Sequence, residues 1–86
     1  MRLGTFLDRQ KAAEQVKKGF GSTKRFDARY KELVANINLA IEKEKPGVDI
    51  SQLPRSTDFS SPKVLKAYGE FHVFLRDAVD NLLSQG

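Results

Sequence analysis

The chain contains no cysteine, which excludes a disulfide framework and any zinc site built on thiolates. A single histidine, His72, rules out a metal site with two imidazole ligands. The residues at helical spacing from His72 are Tyr68, Leu75 and Arg76, none of them a carboxylate that could orient the ring. His72 therefore reads as the edge of an apolar stripe and not as a ligand or general base. Nothing marks any serine as a nucleophile. The carboxylate pairs Asp77/Asp80 and Glu42/Glu44 lack the apolar setting that raises a pKa for acid catalysis. No enzyme chemistry, cofactor or metal is expected.

Long apolar runs are missing as well. No window approaches the roughly 18 residues of a membrane span. Met1 to Ala13 carries Arg2, Asp8, Arg9 and Lys11 within its apolar stretch, unlike a signal peptide. No membrane partner is expected, and the location implied is the cytoplasm, of a cell or of a host cell. Repeats of roughly 20 to 50 residues, which would indicate a solenoid, do not occur.

The 86 residues, 30% of them charged, are ordinary for a globular domain. They support one core and a stability on the order of 4 to 13 kcal/mol. Charge is distributed unevenly. Residues 1–31 hold nine Lys or Arg against three Asp or Glu, whereas residues 32–86 hold six against eight. Such a bias favours an acidic partner, nucleic acid included.

Helical periodicity dominates. Phe26, Tyr30, Leu33, Val34, Ile37 and Ile41 form one stripe of a helix over about 24–45, with Ser22 or Thr23 as N-cap and Pro46-Gly47 as its end. Ser61-Pro62 opens another helix, running to about Ser84. Its main stripe is Val64, Tyr68, Phe71, Leu75, Ala78 and Leu82, widened by Leu65, His72, Val79 and Leu83. A shorter helix over about 6–18 presents Phe6, Leu7, Ala13 and Val16, interrupted by Gln10. Thr5 and Asp8 have the spacing of a capping box, and Gly19 followed by Phe20 fits a left-handed C-terminal cap. The connection 46–61 is long for two helices. Val48, Ile50, Leu53 and Phe59 are expected to pin it, with a helical turn near Ile50 to Leu53. The expectation is an all-α, single-domain fold of three helices, its core in an antiparallel hairpin of the second and third, with the first less tightly held.

Two surfaces are candidates for function. The first is the turn Gly19-Phe20-Gly21-Ser22-Thr23-Lys24-Arg25. It is not a Walker loop, whose lysine directly follows the last glycine and whose loop follows a strand. A helix N-terminus with Ser22, Thr23, Lys24 and Arg25 nevertheless suits a phosphate or carboxylate. Lys17, Lys18 and Arg29 would join that patch if the first two helices fold back on each other. The pairs Glu14/Lys18 and Asp27/Lys31, four residues apart, would neutralise part of it. Without such a patch being functional, it is a solvated basic face. A groove-reading helix-turn-helix and a single-strand stacking platform both fit poorly, since the aromatics lie on core stripes.

The second surface is on the third helix. Twelve of the twenty residues from Val64 to Leu83 are apolar, counting the alanines. Val73 and Phe74 point away from the main stripe, as an apolar interface or as a surface covered by the first helix and the long loop. Gly69 inside that helix costs roughly 1 kcal/mol relative to alanine, which close approach of another backbone would explain.

The opening of the third helix at Pro62, Leu65, Ala67 and Tyr68, after a proline-containing loop, resembles small secretion-needle subunits over less than half the chain. That likeness contains no specific motif and implies nothing about individual residues. The leading expectation is a non-enzymatic protein-binding module, a small adaptor or inhibitor, using the apolar helix face and the basic turn. The alternatives are a nucleic-acid-binding protein using Lys17, Lys18, Lys24, Arg25 and Arg29, and a self-assembling structural subunit that forms homo-oligomers.

Overall fold

The computed structural model describes residues 1–20 and 24–85, apart from the side chains of Phe20, Leu82 and Gln85. It is all-α, with helices α1 (Leu3–Phe20), α2 (Lys24–Glu44) and α3 (Pro62–Gln85), and a 3-10 turn at Ile50–Gln52. The Cα radius of gyration is 13.5 Å and the extents are 42 × 22 × 21 Å. A spherical domain of this length would have a radius of gyration near 12 Å. The elongation follows from α3, whose 24 residues at about 1.5 Å each span most of the long axis.

α3 is the shared wall against which both α1 and α2 pack. Leu33, Ile37, Ala40 and Ile41 of α2 face Val64, Ala67, Phe71 and Leu75 of α3 across a buried core, and Leu3, Phe6 and Ala13 of α1 join the same cluster. Burying side chains of this size contributes about 1.5–3 kcal/mol each for the larger ones. Phe6 meets Phe71 edge-on, ring centroids 5.9 Å apart. α1 thus contributes to the core, and does so along α3 less extensively than α2, as the expectation of a less tightly held first helix had it. The polar interruption at Gln10 lies against Tyr30 of α2. On α3 the residues expected to widen the apolar stripe are mostly outside it: Leu65, Val79 and Leu83 are exposed.

The start of α1 differs from the capping-box expectation. Thr5 lies inside the helix, whose first donors are met by the distant loop: Leu3 N–H donates to Thr57 O at 2.8 Å and Gly4 N–H to Arg55 O at 2.9 Å. Arg2 and Asp58 form an isolated antiparallel bridge, with Phe59 N–H donating to Met1 O at 2.7 Å. The Arg55 guanidinium closes the same junction by bonding Asp8 and, at 3.4 Å, Gly4 O. A Cβ on Gly4 would sit 3.1 Å from Arg55 O, so any other residue would push the loop back by a few tenths of an ångström and glycine suits the close approach. At its other end α1 continues through Gly19 to Phe20, so Gly19 is helical and not a left-handed cap.

The long connection is pinned much as expected. Gly47, with φ of 76°, turns the chain out of α2, and Asp49 caps the 3-10 turn by accepting from Ser51 N–H at 3.0 Å. Phe59 is fully buried, Ile50 and Leu53 pack against the core, and Val48 stays exposed. The entry to α3 carries a cap that spacing did not indicate. Glu44 Oε1, from the end of α2, accepts from the N–H groups of Ser60 (3.1 Å) and Ser61 (3.2 Å). Ser61 Oγ in turn accepts from Lys63 N–H at 3.3 Å, as the Ser-Pro signature implies.

Candidate interaction surface

The two surfaces singled out by sequence meet in one place. The stripe that places Tyr30, Leu33 and Ile37 in the core leaves Phe26, one turn earlier, at the open end of the α2–α3 seam. There its ring lies 6.3 Å from Tyr30, stacked, and 5.1 Å from Phe74 of α3. Tyr30 in turn lies 6.2 Å from Phe71. Aromatic contacts thus run from the buried Phe6 and Phe71 out to Phe74, which is half-buried at the surface. Pairs of this kind are worth about 0.5–1.5 kcal/mol each beyond area. Phe74 is consequently tied to the core on one edge and open on the other, whereas Val73 beside it is 44% exposed.

Phe74 forms the floor of a groove with two lobes. In one, of about 330 Å³, Phe26, Phe74 and Ala78 lie between Arg25 and Arg29 of α2 and Asp77 of α3. In the next, of about 570 Å³, Arg29 faces Lys66, Gly69, Glu70, Val73 and Asp77 of α3. The lobes share Arg29, Phe74 and Asp77. Gly69 meets no atom within 4 Å at its Cβ position. The backbone approach expected to explain it is therefore not made within the described residues, and the space over Gly69 belongs to the groove.

The basic patch is thinner than its sequence suggests. Lys17 of α1 pairs with Asp27 of α2 at 2.8 Å, and this close contact with the carboxylate raises the Lys17 pKa above the ordinary lysine value. Asp27 thus spans two helices instead of pairing with Lys31. Arg29 pairs with Glu32 at 3.2 Å. Lys18, Lys24 and Arg25 are exposed and make no ion pair among the described residues. Ser22 and Thr23 lie outside the described residues. Arg25 and Arg29 point their half of the patch at the apolar groove, a juxtaposition that spacing alone did not reveal, although Phe26 between them was a legible marker.

His72 lies beside Tyr68, ring centroids 6.3 Å apart, in a separate depression with Arg9, Arg76 and Asp80. Among the described residues no group of His, Asp and Glu could hold a metal ion, and no helix is long and apolar enough to cross a membrane. In comparisons with known proteins no family model, no curated protein and no solved structure matches the chain.

Proposed function

We propose that the protein is a non-enzymatic protein-binding module, of adaptor or inhibitor type, that seats a helical segment in the groove between the start of α2 and α3. The observation that carries this reading is the convergence of Val73, Phe74 and Phe26 with Arg25 and Arg29 on one concave, largely apolar surface. Grooves of this form take the apolar face of an amphipathic helix, anchored at i, i+3/i+4 and i+7. Of the candidate basic patch, Lys18, Lys24 and Arg25 make no ion pair among the described residues. At about 0.9 per neutralised phosphate they would give a log–log salt slope no steeper than about 3 on duplex DNA, so the basic turn supports a rim better than a nucleic-acid site.

The test is selection from a displayed library of amphipathic helical peptides, with the Val73→Asp chain as counter-selection. Val73 is exposed enough for that variant to keep its circular dichroism spectrum and unfolding midpoint. Peptides with apolar residues at helical spacing should bind the wild type and lose at least tenfold in affinity on Val73→Asp, about 1.4 kcal/mol. Failure to select any such peptide, or equal binding to the variant, refutes the groove as a binding site.

A further inference from the structure

The six α3 residues that line the larger lobe are Lys66, Gly69, Glu70, Val73, Phe74 and Asp77. Read about the midpoint between Phe71 and His72, this set is symmetric in position, as one face of a helix is, and its outermost pair, Lys66 and Asp77, is opposite in charge. Lys66 and Asp77 are equidistant from that midpoint, as are Glu70 and Val73, and Gly69 and Phe74. We infer that the occupant of the groove is α3 of a second copy of this chain, laid antiparallel about a two-fold axis at that midpoint.

In that register Lys66 of each copy lies level with Asp77 of the other, giving two equivalent ion pairs about 16 Å apart. Both side chains are exposed and form no ion pair among the described residues. A parallel arrangement would instead set Lys66 against Lys66 and Asp77 against Asp77, which like-charge repulsion disfavours. Glu70 comes level with Val73 of the other copy, in the lobe whose opposite wall is Arg29. Gly69 and Phe74 fall on opposite flanks of the stripe. The Gly69 flank has no side chain to hold the two backbones apart, which gives the mid-helix glycine the close approach that α1 and α2 do not supply. On the other flank two Phe74 rings extend the aromatic contacts with Phe26. A foreign helix would fill the same space, but the stripe already carries its own complement.

A contact this short falls below the roughly 1,200 Å² of stable complexes, so the pairing is weak and is read over a wide concentration range. This inference rests on the groove being a protein-binding site. Its test is sedimentation equilibrium from about 10 μM to about 1 mM, a range suited to weak complexes, on the wild type, on Lys66→Glu, on Asp77→Lys and on an equimolar mixture of the two variants. The wild type should rise from monomer towards dimer mass. Each single variant, which sets like charges against each other, should associate at least tenfold more weakly, and the mixture, which restores both ion pairs, should recover most of the lost affinity. Circular dichroism confirms that each variant remains helical. A wild type that stays monomeric throughout overturns the pairing, as do variants that associate as strongly as wild type or a mixture that does not recover. A monomeric wild type that still selects helical peptides sensitive to Val73→Asp leaves the groove reading standing, whereas a monomer that selects none removes both.

Discussion

Gly69 sits in the interior of a 24-residue helix, two turns from its start, where glycine costs about 1 kcal/mol relative to alanine through backbone entropy. Nothing within the described residues lies within 4 Å of where its Cβ would be, so alanine adds no clash to offset that gain. Gly69→Ala should therefore stabilise the isolated chain by about 0.5–1 kcal/mol. At an unfolding entropy of about 2.1 cal/mol/K per residue, 1 kcal/mol corresponds to about 5 °C in Tm for 86 residues. The same methyl would push apart two copies of α3 on the flank where their backbones come closest. Self-association should then weaken by roughly tenfold, about 1.4 kcal/mol. Thermal unfolding by circular dichroism at low micromolar concentration isolates the monomer term, because pairing adds stability only as concentration rises. Sedimentation at high concentration reads the other term. A lower Tm would mean that the helix is not open at Gly69. A higher Tm with unchanged association would mean that no helix lies against it.

Two further outcomes follow from the junctions. Glu44→Ala removes the acceptor for the Ser60 and Ser61 N–H groups and should lower stability by about 1–2 kcal/mol, seen as a lower urea midpoint with unchanged m-value. Glu44→Gln, which keeps the accepting oxygen, should recover most of it, and equal loss in both variants would show that the carboxylate's charge is what matters. At alkaline pH, Tyr30 is held above its ordinary pKa chiefly by burial, and Lys17 above its own chiefly by its close contact with the Asp27 carboxylate. Both folded values are raised, so the stability they supply is complete below the unfolded values, near pH 10, and is lost as pH climbs through the folded ones. Tm should fall above about pH 10, and less steeply in Tyr30→Phe; an equally steep fall in that variant would remove Tyr30 as a cause.

α2 and α3 were legible because their apolar residues recur at helical spacing and their ends carry local signals, Pro46-Gly47 and Ser61-Pro62. The start of α1 was not, because its first amide donors are met by Arg55 and Thr57, more than fifty residues away. Thr5 and Asp8 had the spacing of a cap, but the loop satisfied those donors first. Asp8 is instead taken up by Arg55. The same non-locality hid the Glu44 cap, since a glutamate at a helix C-terminus is ordinarily disfavoured by the macrodipole and gains its use here from the N-terminus of the next helix.

The composition of α3 overstates one surface and conceals another. Three of its exposed apolar residues, Leu65, Val79 and Leu83, lie on the side away from the groove, where the first two are fourteen positions apart and His72 and Arg76 stand between. Scattered apolar residues of this kind are normal on monomer surfaces. Val73 is less exposed than Leu83, 44% against 72%, yet it adjoins Phe74, which is anchored to the core through Phe26 and Tyr30. A binding face needs contiguity and a fixed shape more than it needs a high apolar count, because an anchored ring loses little conformational freedom on binding. Val73 and Phe74 could be picked out in the sequence as residues off the main stripe. Their connection to Arg25 and Arg29 depends on the crossing of α2 over α3, and that crossing is set by the buried contacts of Leu33, Ile37, Phe71 and Leu75 and not by any residue of the groove itself.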